Sequence, residues 1–253
     1  MTQAMVKAGA LGWALGLAAL GLIVGSFVAT LVIRWPRRRS VARGRSQCDG
    51  CGRTLAAWEL VPLASALALR GRCRSCGAAI DPRHWQMEVG CGVIGALAGL
   101  VAPGPEGLAG AVFGWGLLAL AALDAAEMWL PDALTGPLAL AGLAVGAPPL
   151  TDRVVGAIAG FALLEGVRRG YRVVRGREGL GGGDPKLFGA IGAWLGWRLL
   201  PAVLVLAALA GLAAVLWARL AGREVRRDSP VPFGALLAAA AYPAWLVMVG
   251  LGA

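Results

Sequence analysis

Long apolar runs alternate with short polar breaks along this chain, and the runs set its architecture. Residues 8–33 are almost wholly apolar, and crossing a bilayer needs about 20 such residues. Further runs near 89–103, 107–124, 134–149, 153–168, 187–199, 201–218 and 232–252 predict seven more crossings. The stretch 187–218 is too long for one simple crossing and short for two. A single crossing would carry Arg219, Arg223, Arg226 and Arg227 to the side opposite the other basic loops, so two are predicted, with a turn near Arg198 and Pro201. The pattern describes an all-α polytopic membrane protein of about eight transmembrane helices.

Composition agrees: 58% of the 253 residues are hydrophobic and 15% charged, with a mean hydropathy of +0.70. The formal charge of +10 would suit nucleic acid if it formed one folded basic face. Instead the charges fall in short blocks between apolar runs, as the positive-inside bias requires, with some attraction to anionic lipid. Only Lys7 precedes the first run, whereas Arg34, Arg37, Arg38, Arg39, Arg43 and Arg45 follow it. A cleaved signal peptide has the opposite charge order and a shorter core, so this run reads as a retained span with its N-terminus external. Threading eight spans from there, with Arg168 counted at the inner boundary, leaves only Lys7, Arg153 and Arg198 of the 24 Lys and Arg outside. Both termini are then external, and the polar stretch 34–88 is cytoplasmic.

That stretch holds Cys48-Asp49-Gly50-Cys51 and Cys73-Arg74-Ser75-Cys76, with 21 residues between the pairs. Each pair can present two thiolates to one tetrahedral Zn²⁺. Two disulfides are the alternative, but cytoplasmic thiols stay reduced, so a small zinc-knuckle insertion is expected. Four thiolates complete the shell, which makes the metal structural, because catalytic zinc keeps an open position. Cys91, in an apolar run, reads as a packed small residue, and His84 as a surface or interfacial side chain.

The other polar break is Gly179-Leu180-Gly181-Gly182-Gly183-Asp184-Pro185-Lys186. Glycine permits positive φ and lets another chain approach closely, so the run reads as backbone shaped to hold Asp184. Equally, Asp184 reads as the N-cap of the next helix, with Pro185 at its first position. Asp124 ends an apolar run at the same inner level, and an ionisable residue there is costly unless it pairs or lines a wet cavity. Two facing carboxylates repel, so the pair can share a proton at neutral pH. One then takes a proton from water while the other donates to a scissile carbonyl. Glu127 and Asp132 compete with Asp124, although Asp132 reads as the cap of a helix beginning near Ala133.

The chain resembles the type IV prepilin peptidases, membrane aspartic proteases of the GxGD class. The matching pieces are Gly25-Ser26-Phe27, the four cysteines, Leu60-Val61-Pro62-Leu63-Ala64-Ser65, Arg70-Gly71-Arg72 before the second cysteine pair, and Glu88. Asp124 with Leu130-Pro131-Asp132, Gly181-Gly182-Gly183-Asp184-Pro185-Lys186-Leu187 and Pro232-Phe233-Gly234 complete an ordered set. The resemblance implies that Asp124 and Asp184 are the catalytic pair, shaped toward substrate by Gly181, Gly183 and Lys186. It also implies removal of the basic leader from prepilins and pseudopilins of type IV pilus or type II secretion systems, at the cytoplasmic face of the bacterial inner membrane. Because the cysteine-bearing loop is present, it implies N-methylation of the new N-terminal residue with S-adenosylmethionine as donor, and Glu88 is a candidate for that step. The implied organisation is a first transmembrane helix at 1–33, a zinc-binding, methyltransferase-associated loop at 34–88 and a membrane-embedded peptidase domain at 89–253, with lipid as a partner and no nucleic acid. The departures are Asp49-Gly50 where a proline is common, Val28-Ala29 in place of an Asn, and Pro185 after the second aspartate. A transporter would place paired acids midway through a bundle, and a tethered zinc-knuckle adaptor would leave Asp124 and the glycine run without a role.

Overall fold

The computed structural model describes residues 3–41, 45–48, 50–223 and 231–252. Among these residues eight helices of 13 residues or more fall on the eight apolar runs: α1 (Gln3–Arg34), α3 (Arg83–Val101), α4 (Pro105–Glu127), α5 (Asp132–Val145), α6 (Leu150–Arg175), α7 (Gly183–Leu195), α8 (Leu200–Leu220) and α9 (Phe233–Gly250). Between α1 and α3 lie a 3₁₀ turn, Ala57–Leu60, and the short α2, Ala64–Ala68. No helix-length apolar run became strand, and only isolated β-bridges occur among the described residues. Among the described residues, four helices are long and apolar enough to cross a membrane by themselves: Ala8–Arg34 of α1, α4, α8 and α9. The stretch 187–218 is broken as expected. The chain leaves α7 through Gly196 at φ +71° and re-enters a helix at Leu200, with Pro201 in the first turn, where its missing N–H costs nothing.

Two compact units divide the chain, Met1–Trp115 and Gly116–Ala253, and α4 runs through the division. In the first unit, α1 and α3 pack through glycines. A Cβ on Gly95 would sit 2.1 Å from the Leu17 carbonyl oxygen, and one on Gly21 2.2 Å from that of Cys91. Small residues allow such backbone contact, which drives helix association where lipid removes the hydrophobic incentive. Gly95→Leu should therefore force the pair apart and cost about 3 kcal/mol or more. A lowered thermal midpoint in detergent, absent for Gly9→Leu on an open face, checks this. Cys91 is fully buried, as expected, and its carbonyl accepts the Trp115 indole N–H at 2.8 Å.

In the second unit, α7 is the centre. Every residue from Leu187 to Leu195 is buried, the signature of a helix surrounded on all sides. Trp194 donates its indole N–H to the Leu138 carbonyl of α5 at 2.8 Å, and Gly156 of α6 meets Gly192 backbone to backbone. Thirteen residues span only about 20 Å, so α7 holds its place by packing against protein. α6 stops at Gly176, a left-handed C′ residue whose N–H returns to the Arg172 carbonyl.

Candidate active site: a buried aspartate pair

Asp124 lies one turn from the end of α4, and Asp184 is the second residue of α7. Both carboxylates are 5% exposed. They meet at the start of α9. The Ala235 N–H donates to Asp124 Oδ2 at 2.8 Å, and the Gly234 N–H faces both carboxylates. The Gly181 N–H faces Asp184 as well, and the two acids lie close enough for their charges to interact. The first N–H groups of a helix have no internal partners and carry its positive end. Here they receive acids from two other helices instead of a cap of their own, since the N-cap position is Pro232.

Asp184 is not the N-cap of α7. That position is Gly182, and Asp184 sits inside the first turn with its N–H returned to the Gly181 carbonyl at 3.3 Å. None of Gly179, Gly181, Gly182 and Gly183 takes a positive φ, so the glycine run serves close approach. A Cβ on Gly183 would lie 2.6 Å from Leu130 Cβ, and one on Gly181 3.1 Å from Asp184 Oδ2. Gly234 is equally constrained, since its Cβ would lie 2.6 Å from Leu130 Cδ1 and 3.0 Å from Asp124 Oδ2. Leu130, itself buried, thus wedges between α7 and α9 beneath the pair.

The competing acids are elsewhere. Glu127 is exposed at the end of α4, and Asp132 is the first residue of α5, behind the N-cap Pro131. Asp132 accepts both hydrogen bonds of the Lys186 ammonium at 2.7 Å. Lys186, placed at the site by sequence, therefore joins the first turns of α5 and α7. That pair is exposed and worth about 0–1 kcal/mol. Gly234, Ala235 and Leu130 were not singled out as site residues from the sequence. Pro232-Phe233-Gly234 at a helix start was the signal for the first two, whose donors are backbone groups, and Leu130-Pro131-Asp132 the signal for the third.

In the first unit the four cysteines converge. Their sulfurs all lie within 4.8 Å of one another, and Cys48 Sγ is 3.8 Å from Cys76 Sγ. That separation rules out a bond of about 2.05 Å and matches the edge of a tetrahedron with metal–sulfur arms of about 2.3 Å. The two halves repeat one turn. Cys48 and Cys73 each donate N–H five residues on, to Arg53 and Ala78, while Gly52 and Gly77, both at φ near +70°, return theirs to the first cysteine. The Cys76 and Ser75 N–H groups hold the Cys73 thiol down at about 6, so at neutral pH it is the thiolate a metal takes. The cluster can hold a metal ion.

Glu88 is buried on α3, and one of its oxygens accepts the Leu63 N–H at 2.8 Å. It lines a cavity of ≈ 140 Å³ together with Ser26, Thr30, Ser65 and His84, with Cys48 and Cys73 along one wall. Glu59, also on the wall, is saturated by Arg53 and by the Ala56 N–H. Among the described residues no cation pairs with Glu88, so its carboxylate faces the cavity with acceptor capacity to spare.

Two buried acids drawn from separate helices onto one helix end are the arrangement that paired-carboxylate acid–base chemistry needs. Comparison with known proteins narrows the class. Residues 19–101 match the bacterial Peptidase A24 N-terminal domain and residues 111–216 match the type IV leader peptidase family. A Burkholderia pseudomallei protein named prepilin leader peptidase/N-methyltransferase is 42% identical over 87% of this chain and 81% of its own length. Its namesake from Dickeya chrysanthemi is 38% identical over 89% of each chain, and that from Aeromonas salmonicida 40% identical over 80% of this chain and 71% of its own. The chain belongs to the type IV leader peptidase family. No solved structure matches it significantly.

Proposed function

We propose that this protein removes the leader peptide from type IV prepilins and pseudopilins, and then methylates the newly exposed N-terminal amine. The observation that carries the peptidase reading is the meeting of Asp124 and Asp184, both buried, at the N–H groups of α9. A pair of this kind shares one proton. Its ionised member draws a proton from water as the water oxygen bonds to the scissile carbonyl carbon, and its protonated member donates to the carbonyl oxygen. Gly181 leaves space beside the Asp184 carboxylate, Gly183 lets Leu130 pack against α7, and Lys186 ties α7 to α5.

A prepilin brings a basic leader ahead of an apolar helix. Of the acids able to receive that leader, Asp132 is taken by Lys186, and Glu178 pairs with Arg168 and Arg172. Glu127 is exposed and has no basic partner among the described residues, so it is the acid best suited to the leader. The proposed setting is the bacterial inner membrane, N-terminus external and dyad toward the cytoplasm, which the distribution of Lys and Arg supports. Within it we assign 1–33 as the first transmembrane helix, 34–88 as the metal-binding, methyltransferase-associated loop and 89–253 as the peptidase domain. The substrates come from type IV pilus or type II secretion systems, and lipid surrounds the helices.

Zn²⁺ fits the four-sulfur cluster by donor number and spacing, and Cys48, Cys51, Cys73 and Cys76 would hold it. For the methyl donor, the cavity over Glu88 offers a buried carboxylate that pairs with no cation among the described residues, and, with Arg34 elsewhere on the wall, that carboxylate is the group suited to a sulfonium. S-adenosylmethionine would supply an electrophilic methyl group there, and Glu88 would hold the donor's positive charge or accept the proton lost by the amine. Incubating the protein in membranes with a prepilin and labelled S-adenosylmethionine tests both halves: a shorter product carrying label is expected, and an uncut substrate would remove the peptidase reading.

A further inference from the structure

The two aspartates are not held alike. Asp124 receives a direct 2.8 Å bond from the Ala235 N–H and the approach of the Gly234 N–H, both from the positive end of α9. Asp184 receives no such short bond among the described residues; the Gly181 and Gly234 N–H groups face it more loosely. A hydrogen bond from a helix N-terminus favours the charged form of the carboxylate that accepts it. Other charged groups on the surrounding elements are Glu127 on α4, Asp132 on α5 and Lys186 on α7, all exposed, and the last two neutralise each other; α8 carries the exposed Arg219 in its last turn, and on α6 Glu165 is neutralised by Arg168 and Arg169. α9 contributes no charged side chain. The local difference between the two acids therefore comes from backbone.

We infer that the first turn of α9 decides where the shared proton resides: Asp124 is the ionised partner and general base, Asp184 the protonated partner and general acid, and Gly234 and Ala235 are positioning residues. This rests on the peptidase reading above. Asp124 takes the proton of the attacking water while Asp184 gives its own to the carbonyl oxygen, leaving a gem-diol. When the C–N bond breaks, Asp124 returns its proton to the departing nitrogen and a gem-diol hydroxyl returns one to Asp184, so both acids are reset. Gly234 is small because a side chain there would press on Leu130 and Asp124.

Ala235→Pro tests the assignment, because it deletes one N–H and little else. Position 235 lies in the first turn of α9, where proline is tolerated, and its side chain is only half-buried. In purified full-length protein acting on a prepilin, kcat should fall about 10- to 100-fold, the loss expected for one charge-assisted hydrogen bond. KM should stay unchanged, and the acid limb of the pH profile should move to higher pH. Ala235→Ser, which keeps the N–H, should keep the acid limb of the pH profile where the parent has it. Full kcat with an unmoved profile in Ala235→Pro would overturn the proposal. A second measurement needs no variant. Mapping by mass spectrometry should place an epoxide, which alkylates carboxylate anions, on Asp124, and a diazo ester, which alkylates protonated carboxyls, on Asp184. The reverse labelling would overturn the assignment while leaving the peptidase reading intact, whereas a parent protein that cleaves no prepilin would remove that reading itself.

Discussion

Asp184→Asn should lower leader removal by about 10³-fold or more while leaving the protein folded and inserted. Asparagine is nearly isosteric and can still accept the Gly181 and Gly234 N–H groups that face this site. It has no carboxyl proton to give and cannot take one back, and one positioned acid or base contributes about 10² to 10⁴. Asp124→Asn should do the same, and the double variant should lose hardly more than either single one, because the two act as a unit. Cleavage of a prepilin by detergent-solubilised protein, scored beside thermal unfolding, measures it. Substantial activity in either variant would remove that aspartate from the chemistry.

Cys73→Ser should take the metal content from about one ion per chain to near zero. Cys73 is the buried cysteine of the four, and backbone N–H groups hold its thiol down at about 6. Serine can supply no thiolate, and three remaining sulfurs leave the tetrahedron open. Metal binding is worth on the order of 10 kcal/mol to small sites of this kind, so residues 46–80 should lose protection from proteases. Because Cys48 and Cys73 also wall the Glu88 cavity, methylation should fall with the metal. The dyad is built wholly from the second unit, so leader removal should persist. Elemental analysis, limited proteolysis and the two activities measured side by side decide it. Loss of cleavage in step with methylation would show that the two units are coupled.

Much of this was legible in the sequence because it is written in side-chain polarity. Eight apolar runs became eight helices, the break before Leu200 fell beside Arg198 and Pro201, and both aspartates announced themselves as acids where acids are costly. The cysteine spacing prescribed its own cluster. What stayed hidden is written in backbone. The bond from Ala235 to Asp124 closes 111 residues of chain, and its donor is an N–H that every residue but proline carries. The glycines could be read as turn formers or as contact points with equal right, and only Leu130 against Gly183 and Gly234 decides for contact. Asp132 looked like a cap because of its place after proline, yet its carboxylate is claimed by Lys186, 54 residues away.

The burial of α7 on every side carries a consequence for how this protein can vary. A helix that faces lipid or water has a stripe where almost any residue of the right polarity will do. From Leu187 to Leu195 there is no such stripe, so changes of volume at each position must be absorbed by α5, α6 or α9, and through them by the two acids. Saturation mutagenesis should draw α7 as an unbroken block of intolerance beginning just past Lys186, while α8, clothed largely in exposed leucine and valine, should accept exchange among apolar residues along most of its length.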